Sequence, residues 1–220
     1  MRGATARLRP GASGNSHLCV RFTPARAAAA AGGSGGGADA VLRRGLAADL
    51  PLVRAAAWRE RMNPLSLNDA RRFTVAVDAS TGEPLGWGQL VPINAAATAR
   101  DAAEAGGATP AASTSAADEA PIYELRTLQV QPQARGNGLG AQLVAALKER
   151  AGPGSRLYLT TVGVRVPFYE RSGFVELSPA DMPGFILGEW AVGSAVTRLL
   201  GGDRCAVLVS AGRGGLKDSL

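Results

Sequence analysis

The chain has 220 residues, 46% hydrophobic and 19% charged, a balance that suits one folded domain and excludes a wholly disordered chain. Its formal charge of +6 is unevenly placed: residues 1–38 hold Arg2, Arg7, Arg9, Arg21 and Arg26 and no acid, and beyond them 19 basic residues face 18 acidic ones. No nucleic-acid partner is expected from that balance, and because the single histidine, His17, lies in the same leader, histidine triads and histidine-ligated metals are excluded for the rest.

The leader is rich in Arg, Ala, Ser and Gly and lacks the apolar core of a secretory signal. That is the composition of a transit peptide, so residues 1–38 are expected to be disordered and to direct import into the chloroplast or, alternatively, the mitochondrion. Cleavage is expected in AAAAAGGSGGGA, ahead of Asp39. Of two cysteines, Cys19 lies in the leader, which leaves Cys205 alone and supports neither an intramolecular disulfide nor a metal cluster in residues 39–220. No window reaches membrane-spanning length without charges, and no membrane partner is expected.

From Asp39 the elements alternate. Residues 40–46 (AVLRRGL) predict a strand. Asp49 is a candidate N-cap with Pro51 just inside a helix that runs to about Arg61, where Asn63-Pro64 breaks it. Residues 72–78 alternate as a strand, STGEP turns, and 85–91 (LGWGQLV) return as the second arm of a hairpin. Residues 94–120 carry 13 alanines in 27 positions and no apolar pattern, and are expected to form a flexible insertion within the 39–220 domain. Residues 122–130 (IYELRTLQV) predict the next strand. QPQAR then leads to a helix from about Gly138 to Ala151, with Leu139, Leu143 and Leu147 on one face and Gly152-Pro153 as its stop. A strand at 156–161, a short helix in PFYERS, a strand at FVEL, a buried helix over 184–200 and a strand at 205–209 complete a mixed α/β sheet.

The segment Arg135–Gly140 (RGNGLG) joins a strand to a helix start, where glycines let backbone approach an anion and unpaired N–H groups meet the positive end of the helix dipole. A phosphate or pyrophosphate is its natural ligand. A P-loop would need Gly-Lys-Ser/Thr, which is absent. A dinucleotide fingerprint would need an acidic residue at the end of the next strand, which closes on Thr160-Thr161.

The segment LQVQPQARGNGLGAQLVAALKERA resembles the acetyl-CoA-binding motif of the GNAT superfamily, Gln/Arg-x-x-Gly-x-Gly/Ala, here Arg135, Gly138 and Gly140. VPFYERSGF, residues 166–174, resembles the corner after that family's fifth strand, and the resemblance covers roughly residues 122–177, with agreeing element order from 40 to 92. It implies a mixed, mostly antiparallel central sheet flanked by helices, with splayed fourth and fifth strands. It also implies acetyl-CoA as co-substrate, its phosphates over Arg135, Gly136, Asn137, Gly138, Leu139 and Gly140, and its pantetheine arm along Leu128, Gln129 and Val130. One departure stands out: where many members carry an Asn, seven residues before the corner tyrosine, this chain has Val162.

Acetyl transfer to an amine of pKa about 10.4 needs base assistance, and without histidine a carboxylate is the expected base. Glu124, six residues before Val130, matches the position of the catalytic glutamate in histone-type members, and the alternative is an ion pair with Arg126. The resemblance gives Tyr169 the role of protonating the departing sulfur. A structural role, with Phe174 packed back on it past Gly173, is compatible with that one. Cys205 reads as core, and Trp87 as either a wall of the amine pocket or core. The expected activity is N-acetylation of a primary amine, a protein N-terminus, a lysine or a small amine, through a ternary complex. The alternative is a catalytically silent acyl-CoA-binding module.

Overall fold

The computed structural model describes residues 39–60, 67–104, 106, 119–199 and 204–211. The leader with Cys19 and His17, the Asn63-Pro64 break, and residues 105 and 107–118 of the Ala-rich segment lie outside them.

Seven strands form one sheet: β1 (Ala40–Arg44), β2 (Phe73–Asp78), β3 (Pro84–Pro92), β4 (Ile122–Val130), β5 (Arg156–Val162), β6 (Val175–Glu176) and β7 (Cys205–Ala211), in the order β1-β2-β3-β4-β5-β7-β6. Every neighbouring pair is antiparallel except β4–β5, which is parallel. That parallel pairing covers three residues, Ile122↔Arg156, Tyr123↔Leu157 and Glu124↔Tyr158. Beyond Glu124 and Tyr158 the two strands part, and the gap between them is the splay the family resemblance implies.

The helix α3 (Leu139–Ala151) crosses one face of the sheet. Its buried Val144 and Leu147 join Leu90, Leu125, Leu157 and Leu159 in a core cluster, and each such side chain contributes about 1.5–3 kcal/mol on burial. Because side chains alternate along a strand, Glu124, between Tyr123 and Leu125 of that cluster, projects from the opposite face. There α1 (Leu50–Arg59) packs Val53, Ala56 and Ala57 with Phe73, Val75 and Trp87. At the far edge α5 (Gly184–Leu199) sets Ile186 with Tyr158, Met182 and Val207.

Three expectations need correction. Asp49 precedes α1 but makes no side-chain cap. Its carboxylate instead accepts hydrogen bonds from Arg43 Nη1 and Nη2, at 2.7 and 2.9 Å, and from the Leu46 N–H at 2.7 Å, since a charged donor outcompetes a helix N–H. The Ala-rich segment opens as a helix, α2 (Ala95–Glu104). Alanine is the best helix former, Asn94 Oδ1 accepts the Ala97 N–H at 3.0 Å, and Ala97 is small enough to be wholly buried, its carbonyl accepting from Tyr123 Oη at 3.2 Å. Finally, α5 is not a buried helix. Phe185, Leu187 and Val192 are exposed, at 42, 39 and 66%, because an edge helix meets the sheet through one face only.

Candidate active site

The site is organised by a defect in β4. Trp87 pairs with Gln129 but Gln89 pairs with Arg126, so β4 holds one residue more than β3 here. The extra residue is accommodated at Thr127, whose φ of 53° is rare for a side chain branched at Cβ. Past this bulge the Gln131 N–H donates to Leu85 O at 2.8 Å. By the alternation of an antiparallel ladder, the main-chain groups of Val130 then point away from β3, towards the gap. Its carbonyl accepts from Arg135 Nε at 2.9 Å.

The turn that follows is a single 3-10 turn, Pro132–Ala134, and then the glycine segment. Gly136 and Gly138 have φ of 84° and 74°, and a Cβ built on either would meet no atom within 4 Å. Their conformation demands glycine, and the space beside them is open. Gly138 caps α3 without a side chain, so the first N–H groups of the helix have no helical acceptors. Gly140 is glycine for a different reason: a Cβ there would sit 3.3 Å from Phe168 Cζ. Arg135 and Asn137 are exposed, whereas the Leu139 side chain is buried with Ala134 and Leu143, so that only its main chain faces the turn. Uncovered N–H groups, a positive helix end and an adjacent guanidinium suit a diphosphate.

Phe168 ties this turn to α4 (Val166–Glu170). Tyr169 is buried there on the α3 side of the sheet, edge-on to Phe168 at 4.9 Å and to Phe174 at 5.8 Å. Gly173, with φ 78°, turns the chain so that the Phe174 N–H donates to Tyr169 O at 3.1 Å. Burial pushes the Tyr169 hydroxyl up to about 12, against a smaller downward pull from Arg165, so it keeps its proton throughout the neutral range. The expected packing of Phe174 on Tyr169 is therefore present.

Glu124 sits where β4 and β5 part, 4% exposed, and its Oε2 lies 2.6 Å from Arg126 Nη2. The ion pair weighed as an alternative is thus present. Glu124 projects from one face of the sheet, and Tyr169, carried by α4, packs against the other. Gln129 is buried on the Glu124 face beside its cross-strand partner Trp87, which is wholly buried and belongs to the core. Leu128 packs towards α3. Val162, at the end of β5, is 37% exposed and supplies no amide where many family members have one. Cys205 is half-buried on β7, and burial pushes its thiol up.

Sequence reasoning missed Phe168, the bulge at Thr127, and Glu60, whose Oε1 lies 3.2 Å from Arg135 Nη2. Phe168 adjoins Tyr169 in the corner motif, so a signal existed. Glu60 had none, because its role arises from how α1 ends against the glycine turn. A separate cavity of about 380 Å³, lined by Arg44, Asp69, Arg72, Thr98, Asp101 and Glu104, opens near the far end of α3. Thirteen residues of helix put roughly 20 Å between the two ends.

A mixed sheet parted beside a helix-borne anion turn defines the class, an acyltransferase-type fold. Residues 69–176 match the acetyltransferase (GNAT) domain family, so the chain carries a GNAT domain. Among solved structures it is similar to N-acetylglutamate synthase from Neisseria gonorrhoeae in complex with coenzyme A and L-arginine, at 21% identity and a TM-score of 0.54. That match covers 80% of this chain and 34% of the synthase, so the chain spans about a third of that protein's length. It is also similar to Rv2747 from Mycobacterium tuberculosis in complex with CoA, at 19% identity and a TM-score of 0.55, covering 78% of this chain and 98% of that one. No curated protein matches.

Proposed function

We propose that this domain transfers the acetyl group of acetyl-CoA to a primary amine in a ternary complex. The glycine turn carries the reading: two open, positive-φ glycines at the start of α3, beside the gap into which Val130 turns its main chain. Arg135, Asn137 and the N–H groups from Gly136 to Gly140 hold the phosphates, and the gap-facing main chain of Leu128 to Val130 lines the pantetheine arm. Acetyl-CoA supplies a thioester carbonyl for the amine to attack.

The chain's own residues handle protons on either side of that gap. Glu124 takes the proton of an acceptor amine approaching from its face. To do so it must exchange Arg126 for the incoming ammonium, and Arg126, the more exposed member of the pair, is the one that moves. Tyr169, held protonated by its burial, donates to the departing sulfur from the other face. The Phe168 and Phe174 rings fix its direction. Acceptors are protein N-termini, lysines or small amines, and residues 1–38 direct the protein to the chloroplast.

Mixing the full chain with acetyl-CoA and a panel of peptides, amines and amino acids, and following free thiol, tests the activity. Tyr169→Phe retains the ring contacts and removes the hydroxyl, so kcat is expected to fall about ten- to a thousandfold with cofactor affinity little changed. A fully active, equally stable Tyr169→Phe would assign the tyrosine to packing alone. Glu124→Gln is expected to flatten the acidic limb of the pH–rate profile. The Arg126–Glu124 ion pair favours a second reading, a silent acyl-CoA-binding module. That reading predicts tight acetyl-CoA binding with no thiol release for any acceptor. The leader is tested by fusing residues 1–38 to a fluorescent protein, since fluorescence that stays in the cytosol would remove the targeting proposal.

A further inference from the structure

The first residue of the glycine turn is held by two partners. Arg135 donates from Nε to Val130 O at 2.9 Å and from Nη2 to Glu60 Oε1 at 3.2 Å. Val130 O faces the gap, and Glu60 ends α1, its own N–H donating to Ala56 O at 3.1 Å. Nε and Nη2 are the two nitrogens of one edge of the guanidinium, and Nη2 also belongs to the other. Two-pronged recognition of a phosphate requires one of those edges. A carboxylate on Nη2 therefore competes with phosphate at either edge, and its own charge repels the same anion.

We infer that Glu60 is a positioning residue that competes with the acetyl-CoA phosphates for Arg135, so that cofactor binding releases the last turn of α1. The inference rests on the cofactor reading above. Both members of the pair are half-exposed, which keeps the tie weak enough to exchange. Arg135 is thereby shared between α1 and the cofactor turn. The α1 end and the Glu124 pair border the same face of the sheet, so a cofactor that draws Arg135 away loosens the acceptor side after it has bound.

Acetyl-CoA affinity of the full chain, measured by calorimetry, tests this. Glu60→Gln is expected to bind about three- to tenfold more tightly than the unmodified protein. Arg135→Gln is expected to bind about tenfold more weakly, and adding Glu60→Gln to it should improve binding less than twofold, because Glu60 then has nothing to withhold. Amide exchange in residues 56–60 should rise several-fold when acetyl-CoA is added, and should already be raised, and insensitive to acetyl-CoA, in Glu60→Gln. If Glu60→Gln binds no more tightly, or if its gain is undiminished without Arg135, the competition is overturned while the cofactor site stands. If the unmodified chain binds no acetyl-CoA, the site reading falls and this inference with it.

Discussion

The helix α3 has an arginine at each end, and the two residues have opposite surroundings. Arg135, ahead of its N-terminus, is half-exposed, with one carboxylate and one carbonyl. Arg150, in its last turn, has a side chain only 8% exposed. It donates to Arg72 O at 3.0 Å and Arg71 O at 2.9 Å, and lies 3.4 Å from Asp101 Oδ1. Burial lowers its pKa and the nearby Arg44 adds to that, while Asp101 and Glu104 pull it back up. The same side chain is a ligand where its partners can be exchanged and a structural pin where they cannot. Charge in a sequence does not separate the two, whereas burial and the count of fixed acceptors do.

The largest expected effect belongs to the pin. Arg150→Met keeps much of the stem and removes the donors, leaving the Arg72 carbonyl and Asp101 short of a partner, while Arg71 O keeps Arg44 Nη1. Unfolding is expected to become easier by about 2–4 kcal/mol, while acetyl-CoA affinity of the folded protein is unchanged. Denaturant melts paired with calorimetry check this, and a loss of affinity without a loss of stability would reverse the assignment. Gly138→Asp comes next. It places a side chain at φ 74° and a negative charge at the helix start, so acetyl-CoA affinity is expected to fall about a hundredfold or more, with the fold retained by circular dichroism. Unchanged affinity in a folded Gly138→Asp protein would remove the glycine turn from the cofactor site. Arg135→Gln has a smaller effect, the roughly tenfold loss given above, and its melting midpoint should stay within a degree or two, since an exposed pair contributes little to stability.

The comparison also explains what the sequence could disclose. β4 and α3 were legible because their signals are local: an apolar strand, a glycine turn, leucines at helical spacing and a Gly-Pro stop. The parting of β4 and β5 came from the family resemblance, since nothing within Leu125–Val130 announces where a partner strand leaves. α2 was hidden because pattern reading looks for large apolar residues, and this helix uses Asn94 as its cap and Ala97 as its contact. Asp49 was misassigned because its choice between a helix N–H and the Arg43 guanidinium is made by tertiary structure. The Glu124–Arg126 pair was foreseen as an option because the two residues share one side of a strand. Glu60 reaches across 75 residues to Arg135, and no spacing rule connects them.

The smallest effect uses a third arginine to separate pins from ligands by pH. Arg43 holds Asp49 with two hydrogen bonds, and Asp49 is buried. Burial alone would raise that carboxyl, but hydrogen bonds from Arg43 and the Leu46 N–H and the Arg43 charge outweigh it, so the net shift is downward. A carboxyl lowered on folding adds stability that is fully present above its unfolded value, about 3.9, and disappears as pH falls through the folded value. Asp49→Asn is therefore expected to be about 1 kcal/mol less stable at pH 7. The gap should narrow below about pH 4, where the unmodified protein loses the contribution and the variant has none to lose. Acetyl-CoA affinity at pH 7 should be the same in both, because this pair, like Arg150, has no exchangeable partner at the glycine turn. Melting curves from pH 2 to 7 check the narrowing. A stability difference that stays constant across that range would show that Asp49 contributes through shape and not through charge, and Arg43 would then cease to count as a pin of the Arg150 kind.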